Sequence, residues 1–440
     1  MTNITFIGAG SVVFATNLLT DIYSFDRLQD STITLMDIDP QRLERTAEVG
    51  EAVVDHHDLP GDIRTTTDRR EALEGADYVL NMINVGGEEP FENEIRIPEA
   101  YGVKQAVGDT LGPGGVFRAL RTAPTVLDIA RDMEELCPDA LLLNYTNPMA
   151  MLCWAVDEAT DVDVVGLCHS VQHTTEAIGR YLDVSSDDIE HWVAGINHMA
   201  WYLELERDGE DCYPALREAA SDPDVYEQDP VRFDVMEHFG AFITESSHHL
   251  SEYLPYFRTD DDLIEELTPD EDFGHYTVEW MPTGRYLEHW QSYQPALEED
   301  EFEVTEDDVA LERSADYGSR VIHSIETDET RRMNLNVRND TDAIANLPTD
   351  ACVEVPCLVD GRGIHPCSVG NLPPQLAALN RSNIAVQERA VDAILDRDET
   401  ALRQAVKLDP LTAAALDLET IDEMVDDLLA ANAEYLPDLH

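Results

Sequence analysis

Basic residues are scarce in this sequence, and lysine is almost absent. The 440 residues include 28 Lys and Arg against 91 Asp and Glu, which gives a formal net charge of −63. Only Lys104 and Lys407 are lysines. A chain this acidic lacks the positive face with which proteins displace the counterions of nucleic acid, so ordinary nucleic-acid binding is excluded. The same charge disfavours an anionic membrane surface as a partner.

Long apolar runs and paired cysteines are also lacking. No stretch of about 18 apolar residues occurs, so no membrane-spanning helix is predicted. The first eight residues have no basic region and no long apolar segment, and they do not resemble a signal peptide. The seven cysteines are odd in number and contain no CxxC pair. A disulfide framework is therefore not expected, and the reducing cytoplasm is the predicted location.

The acid excess and the loss of lysine occur together, which favours adaptation to multimolar salt. Repulsion between surface carboxylates is screened over about 3 Å at 1 M ionic strength. The alternative is an acidic protein of ordinary salt tolerance. With 43% hydrophobic residues the chain can still fill a core. Its length predicts two or three domains, or one large α/β unit with a partner domain.

The chain opens with the order strand, glycine-rich turn, helix, strand and acid. Residues 4–7 predict a first strand, which ends at Gly8-Ala9-Gly10-Ser11, and a helical pattern of apolar residues follows. The next predicted strand covers residues 32–36 and stops at Asp37. This order is typical of the first part of a dinucleotide-binding fold, and it makes Gly8, Gly10, Ser11 and Asp37 cofactor-binding candidates.

The chemistry of these residues indicates NAD. Gly8 permits the tight turn, and Gly10 lets the backbone approach a pyrophosphate at the helix N-terminus. Asp37 can accept hydrogen bonds from the adenosine ribose, which favours NAD, although nearby Arg42 and Arg45 leave NADP open. The usual third glycine is replaced by Val13, so glycines that only form a turn remain the alternative.

Further strands alternate with helices and predict a Rossmann-like α/β fold with a doubly wound parallel sheet. Buried strands are predicted at residues 77–84, 140–143 and 162–168. Ligands of such sheets bind outside the carboxyl ends of the strands, where Asn84, Asn147 and His169 fall, and Asn84 is a further cofactor-binding candidate. In the second half, residues 352–356 predict a strand, and residues 384–395 and 421–429 predict helices.

A thiol and an imidazole follow two of the predicted strands. Cys168 ends the strand at residues 162–168, and His198 follows the short segment 192–196. Thiolate and imidazole together suit a divalent transition metal. Taken singly, each is more commonly a buried structural residue. Because both lie on the predicted cofactor side, they are candidate metal ligands.

Two other segments are rich in functional residue types. Residues 108–115 contain four glycines and one carboxylate, Asp109, which indicates a loop in close backbone contact with another group. His248 and His249 are adjacent, and adjacent residues of a helix point apart. Only one of the two is therefore expected to face a site.

The chain resembles the NAD- and divalent-metal-dependent glycoside hydrolases of family four, and within them the α-galactosidase branch. The matching stretches run from one end of the chain to the other. They are FIGAGS (6–11), LMDIDP (35–40), DTLGPGGVFRALRT (109–122), LNYTNPMAM (143–151), GLCHSVQ (166–172), AGINHMAWYLELER (194–207), ITESSHHLSEYLPYF (243–257), NVRND (336–340) and CVEVPCLVD (352–360).

The resemblance implies an unusual glycosidase mechanism. NAD takes a hydride from C3 of the sugar, a base removes the C2 proton, and the glycosidic oxygen leaves C1. Water then adds and the hydride returns to C3. Mn²⁺ or a similar divalent cation stabilises the charge that develops on the sugar oxygens. Paired carboxylates of the usual glycosidase kind are not used.

The resemblance also implies an organisation into two domains. Residues 1–195 would form the NAD-binding Rossmann-like domain. Residues 196–440 would form a second α/β (α+β) domain, similar to the C-terminal domain of lactate and malate dehydrogenases, for substrate, metal and oligomerisation. A homodimer or homotetramer is expected by analogy with relatives.

Individual roles follow from the same resemblance. Cys168 and His198 match the metal ligands, and Asn147 matches a residue that contacts the substrate. Tyr253 is the candidate base at C2, and Asp109 matches a carboxylate that makes this tyrosine more basic.

His169 is a candidate for both catalysis and substrate binding. It occupies the position at which relatives that cleave phosphorylated α-glucosides carry an aspartic acid as proton donor. An imidazolium could serve in its place. The phosphate-binding arginine of those relatives has no match, although Arg96 lies nearby, so an unphosphorylated sugar is expected.

The predicted activity is hydrolysis of terminal α-galactosides. Within the family, α-glucosides and uronides (α-galacturonides or α-glucuronides) are alternatives. A different class, an NAD-dependent dehydrogenase of a hydroxy acid or a sugar, would produce NADH in net amounts.

Overall fold

The computed structural model describes residues 1–269, 273, 277–298 and 304–440. Its strands are β1 (Asn3–Ile7), β2 (Thr32–Met36), β3 (Asp62–Thr66), β4 (Tyr78–Asn81), β5 (Leu141–Asn144), β6 (Val164–Gly166), β7 (Glu190–Ile196), β8 (Met199–Arg207), β9 (Glu210–Asp211), β10 (Arg331–Arg338), β11 (Cys352–Asp360) and β12 (Gly363–Pro366).

The helices of the first half are α1 (Val12–Tyr23), α2 (Pro40–His56), α3 (Arg69–Leu73), α4 (Glu88–Tyr101), α5 (Gly112–Leu136), α6 (Met149–Ala159) and α7 (Ser170–Leu182). Those of the second half are α8 (Tyr213–Ala219), α9 (Pro223–Tyr226), α10 (Pro230–Phe239), α11 (Ser247–Tyr253), α12 (Asp261–Glu266), α13 (Arg285–Glu298), α14 (Gly318–Thr327), α15 (Pro374–Asp396), α16 (Glu399–Leu408), α17 (Pro410–Ala415) and α18 (Leu418–Ala431). Short 3-10 turns cover Asp26–Leu28 and Ser186–Asp188.

One twelve-stranded sheet runs through the molecule. Its order is β3-β2-β1-β4-β5-β6-β10-β11-β7-β8-β9, with β12 paired to β11. The first six strands in this order are parallel, and the remaining pairs are antiparallel. The order β3-β2-β1-β4-β5-β6 is that of a doubly wound dinucleotide-binding fold, so the predicted fold class is confirmed.

The two halves of the chain share this sheet and its core. The predicted boundary at residue 195 falls within β7, whose Gly195 pairs with Glu354 of β11. A single apolar cluster contains residues from both halves, such as Phe6, Leu143 and Val355. Among the described helices, none is both long and apolar enough to cross a membrane.

Two predicted strands are shorter in the structure. The strand predicted at residues 77–84 ends at Asn81, because the chain turns away through Gly86 and Gly87, whose φ angles of 87° and 67° do not fit a strand. The strand predicted at residues 162–168 covers only Val164–Gly166. Its last paired residue, Gly166, is opposite Asn336, where the antiparallel part of the sheet begins.

The helix predicted at residues 384–395 is longer than expected. Helix α15 begins at Pro374, which suits the first turn of a helix because proline has no amide hydrogen to leave unpaired. The extra turns contain Asn380 and Asn383, which are buried and interrupt the apolar pattern. Asn380 is satisfied by the indole N–H of Trp201 at 2.9 Å and by the carbonyl oxygen of Met199 at 2.8 Å.

Candidate active site

A cavity of about 490 Å³ lies at the carboxyl ends of β1, β4, β5 and β6. The loops that follow these strands form one wall, and residues of the second half form the other. Of the residues predicted from the sequence, the following line it: Ser11, Asn84, Asp109, Asn147, Cys168, His169 and His198. Candidates for cofactor, metal and substrate binding therefore share one cavity.

The glycine-rich turn after β1 is built around close backbone contacts. A Cβ atom on Gly8 would lie 2.9 Å from the amide nitrogen of Ile83 and the carbonyl group of Met82, and the φ of Gly8 is 90°. Only glycine fits there without displacing the backbone after β4. Ser11 follows as the N-cap of α1 and reaches the cavity.

Gly10 makes a close contact within the protein, in addition to the approach to a pyrophosphate that is expected from the sequence. Its amide donates a hydrogen bond to Oδ2 of Asp37 at 2.7 Å, and a Cβ atom on Gly10 would lie 2.7 Å from the same oxygen. The carboxylate therefore sits against the turn at the end of β2. Val13, at the position of the missing third glycine, is 55% exposed. Its side chain does not enter the contact between helix and strand, so glycine is not needed there.

Three potential metal ligands come together beside this turn. The ligand atoms of Cys168, His198 and Glu245 all lie within 4.8 Å of one another. Nε2 of His198 is 3.8 Å from Oε2 of Glu245, and both side chains are 6% exposed. Cys168 follows β6 and His198 occupies the turn between β7 and β8. Strands β10 and β11 lie between β6 and β7 in the sheet, so the segments that leave these strands bring the two side chains together.

The donor set fits a divalent transition metal. Burial, with a contribution from the nearby charge of Glu245, raises the pKa of the Cys168 thiol well above its ordinary value. A bound cation would instead stabilise the thiolate. Within the described part of the chain, Nδ1 of buried His198 has no hydrogen-bond partner. The donor types and distances of Cys168 and His198 are thus compatible with the metal-ligand role that remains a prediction from the sequence.

Asp109, Asn147 and His249 form a second polar group in the cavity. Nδ2 of Asn147 donates to Oδ2 of Asp109 at 3.2 Å, and Nε2 of His249 is 3.8 Å from Oδ1 of Asp109. Burial opposes ionisation of Asp109, but the neighbouring imidazole of His249 and the charge of Arg118 outweigh it and hold the pKa of Asp109 well below its ordinary value. The carboxylate is therefore charged at neutral pH.

The two adjacent histidines of α11 point in different directions. His249 lines the cavity, whereas His248 is not among its lining residues. The ring of His248 packs against Trp280 at a tilt of 60°, with ring centroids 5.0 Å apart. This is the divergence predicted for neighbouring positions of a helix.

His169 is oriented by a carboxylate from the second half of the chain. Its Nε2 donates to Oδ2 of Asp316 at 2.8 Å, and Asp316 also accepts a hydrogen bond from Tyr145. Burial lowers the pKa of His169, but the hydrogen bond and charge of Asp316 outweigh it and raise that pKa above its ordinary value. A protonated ring is thereby favoured.

Tyr253 lies behind the cavity wall. Its side chain is 1% exposed and does not line the cavity, and its hydroxyl donates to Oγ1 of Thr110 at 3.0 Å. Burial raises the pKa of Tyr253 well above its ordinary value, and the hydrogen bond to Thr110 only partly opposes this. Two other tyrosines, Tyr145 and Tyr286, do line the cavity.

Several site residues were not identified from the sequence. Glu245 lies three residues before the histidine pair in the ITESSHH stretch, and a carboxylate so close to two histidines could have been recognised as a potential metal ligand. Asp316, Trp280 and Tyr286 lie in segments without a motif, and only the fold brings them to the cavity.

Comparison with known proteins agrees with this geometry. The sequence model of the Family 4 glycosyl hydrolase matches residues 3–184, and that of the Family 4 glycosyl hydrolase C-terminal domain matches residues 193–412. An α-galactosidase of Bacillus subtilis is 43% identical, with full coverage of both chains. An α-galactosidase of Rhizobium meliloti is 37% identical over 99% of this chain and 89% of its own length.

A solved structure shares the whole fold. A 6-phospho-α-glucosidase from gut microorganisms, in complex with NAD and Mn²⁺, superposes with a TM-score of 0.76 at 23% identity, covering 100% of each chain. The family matches span both halves of the sequence, and the relatives align along nearly all of it. The chain therefore belongs to family 4 of the glycosyl hydrolases.

Proposed function

We propose that this enzyme hydrolyses terminal α-galactosides with the help of NAD and a divalent cation, of which Mn²⁺ is the first candidate. The curated relatives at 43% and 37% identity are both α-galactosidases, and a structural relative holds NAD and Mn²⁺. Residues 1–195 would bind the cofactor and also supply Asp109, Asn147, Cys168 and His169 to the cavity, and residues 196–440 would complete its substrate and metal side.

The observation that carries the proposal is the single cavity that joins three kinds of residue. Ser11 and Asn84 extend from the dinucleotide-binding end, Cys168 and His198 supply metal donors, and Asn147 belongs to the polar group beside them. A sugar bound in this cavity would lie next to the cofactor end, the metal donors and the polar group. An ordinary glycosidase needs only a pair of carboxylates and no such arrangement.

When bound, NAD would supply reversible hydride transfer at C3 of the sugar, and the divalent ion would stabilise negative charge on the neighbouring oxygens. The chain's own residues orient the sugar and move protons. Asn147 and Asp109 offer a donor and an acceptor to its hydroxyls. His169, whose ring is hydrogen-bonded to Asp316, would protonate the departing glycosidic oxygen.

The base at C2 is assigned to a tyrosine. Tyr253 is the assignment by resemblance, and its contact with Thr110 places it next to the Asp109 loop. Tyr286 is the alternative because it lines the cavity. Tyr253→Phe and Tyr286→Phe separate the two: loss of the base should abolish exchange of the substrate's C2 hydrogen with solvent, whereas the other variant should retain it.

The charge of the cavity supports an unphosphorylated sugar. Arg118 is the one Arg or Lys among the described residues that line it, and its guanidinium donates to the carbonyl oxygen of Asn147 at 3.2 Å. Arg96 is not a lining residue and pairs with Glu99 at 2.9 Å. A phosphate would lack the cluster of cations that usually binds it.

The test is a panel of p-nitrophenyl glycosides in molar KCl with NAD⁺, Mn²⁺ and a reductant. We expect release of p-nitrophenol from the α-galactoside in preference to the α-glucoside and the α-galacturonide, with no net change of absorbance at 340 nm. Activity without NAD⁺, or after removal of metal by EDTA, would contradict the mechanism. Net formation of NADH from a hydroxy acid or a free sugar would favour the dehydrogenase alternative.

Three further properties are part of the proposal. The charge of −63 supports a protein that folds and works in multimolar salt. The seven cysteines are all free thiols, which supports the reducing cytoplasm as its location. A homodimer or homotetramer is expected, and light scattering in molar KCl would identify it.

A further inference from the structure

Glu245 is a buried carboxylate with no role in the chemistry proposed above. It directly precedes the N-cap of α11, and its side chain is 6% exposed. Its Oε2 is 3.8 Å from Nε2 of His198, and its Oε1 is 3.4 Å from Nδ1 of His249. Both imidazoles belong to the cavity, so the carboxylate is directed into the site.

The backbone of Glu245 is held in an uncommon conformation. Its φ is 79°, in the left-handed region that side chains other than glycine rarely adopt. The amide of Glu245 donates to Oγ1 of Thr174 at 3.0 Å, and the Arg232 guanidinium donates to the same oxygen at 2.9 Å. Strain that a buried network maintains is typical of functional positions.

Arg232 is itself fixed from the opposite side. It pairs with Asp229, and both side chains are completely buried. Asp229 also accepts hydrogen bonds from Ser247 and Tyr181. The loop that carries Glu245 is thereby attached to α7 and α10, and its carboxylate has a defined position relative to β6 and β7.

The position fits coordination of a metal ion. Donor atoms bound at about 2.0–2.3 Å to one ion lie roughly 3–3.6 Å apart. The 3.8 Å between His198 and Glu245, and the 4.8 Å limit on all three donor pairs, need only a small adjustment to meet this requirement. An oxygen donor beside the thiolate and imidazole would also shift the preference of the site toward harder ions such as Mn²⁺.

We propose that Glu245 is the third protein ligand of the divalent ion, an inference that rests on the proposed metal site of Cys168 and His198. The Thr174–Arg232–Asp229 network positions this ligand. With three donors from the protein, a bound ion would still have coordination positions for other ligands.

The experiment is a Co²⁺ titration of the full-length protein in molar KCl, followed by calorimetry and by visible absorption. E245Q is nearly isosteric but neutral and a weak ligand, whereas E245H is neutral and carries a ring nitrogen of similar reach. E354Q is the matched control. Glu354 is a second buried carboxylate near His198, it accepts from Ser170 at 3.3 Å, and it lies outside the three-donor cluster.

We expect E245Q to raise the Kd of Co²⁺ by at least about 30-fold, and E245H and E354Q to stay within about 5-fold of the wild type. The visible bands of the E245H complex should shift because nitrogen replaces oxygen, whereas those of E354Q should not. A wild-type Kd and spectrum for E245Q would overturn the proposal. So would equal weakening by all three variants, since that result indicates an effect of charge alone.

Circular dichroism would establish that each variant is folded. If the Glu245 variants do not fold, Thr174→Val is measured instead. This variant keeps the Glu245 carboxylate but removes the hydroxyl that accepts a hydrogen bond from the Glu245 amide. We expect Thr174→Val to raise the Kd about 3- to 10-fold, and an unchanged Kd would overturn the assignment. A wild-type protein that binds Co²⁺ but cleaves no glycoside would contradict only the proposed activity. A wild-type protein that binds no Co²⁺ would contradict the metal site.

Discussion

A buried ion pair joins α4 to α5 next to the cofactor end of the cavity. Nε and Nη2 of Arg121 donate to the two carboxylate oxygens of Glu94 at 2.7 and 2.9 Å, and both side chains are 0% exposed. Arg121 also donates to the carbonyl oxygen of Val85, in the loop that follows Asn84. The pair therefore connects the helices to a loop that lines the site.

The cost of breaking this pair is larger than its net contribution. Burial raises the pKa of Glu94 even though Arg121 lowers it, so desolvation offsets the attraction between the charges. Removing one partner leaves a charge with no counterion in the interior, which costs about 3–5 kcal/mol. Replacing both by apolar residues of similar size, Glu94→Leu with Arg121→Met, removes that charge and should cost much less.

The assay is urea denaturation in molar KCl for the wild type, the two single variants and the double variant. We expect each single variant to lose about 3–5 kcal/mol of unfolding free energy and the double variant to lose less than either. The reasoning would be refuted if the single variants lost under about 1 kcal/mol, or if the loss in the double variant equalled the sum of the single losses. The Arg121→Met variant should also show a higher KM for NAD⁺, because it loses the hydrogen bond to the carbonyl oxygen of Val85.

Three further outcomes are expected. Asp109→Asn should lower kcat by about 100-fold or more without a change in circular dichroism, because the variant removes a negative charge that makes the proposed tyrosine base more basic. A kcat within a factor of a few of the wild type would contradict that role. Burial raises the pKa of Asp409 to about 6 from 3.8, so this residue favours folding at low pH, and that contribution is lost as the pH rises through 6. In the wild type this loss should lower the unfolding free energy by about 3 kcal/mol between pH 4 and pH 8, and Asp409→Asn should abolish it. Thermal melts across this range measure the effect, and the same dependence of stability on pH in the variant and the wild type would contradict the reasoning. Dilution from about 2 M to about 0.1 M KCl lengthens the screening distance from under 3 Å to about 10 Å and should unfold the protein; a constant far-UV spectrum on dilution would contradict adaptation to high salt.

The local order of strand, glycine turn, helix and acid was readable from the sequence. Buried β-branched runs and the glycines at positions 8 and 10 have local causes, and the alternation of strands and helices implies a parallel sheet. Cys168 could be assigned to the site because it follows a strand of the parallel sheet, and ligands bind at the carboxyl ends of such strands. His198 follows β7, which belongs to the antiparallel part of the sheet, so its proximity to Cys168 depends on the tertiary structure. The net charge of −63, and the prediction of adaptation to high salt that rests on it, follow from the sequence alone.

The tertiary structure decided which polar side chains meet. Glu245 and Asp316 lie 77 and 147 residues from Cys168 and His169, respectively, and no local pattern encodes such contacts. Their positions depend on how α11 and the segment before α14 pack against the sheet. The same holds for Tyr286, which reaches the cavity, and for Tyr253, which is buried against Thr110. The sequence alone determined the strands, the helices and the kinds of side chain that could bind a cofactor, a metal or a substrate. The packing of distant helices and strands determined which of these side chains face the cavity, because the cavity is formed by segments from the whole chain.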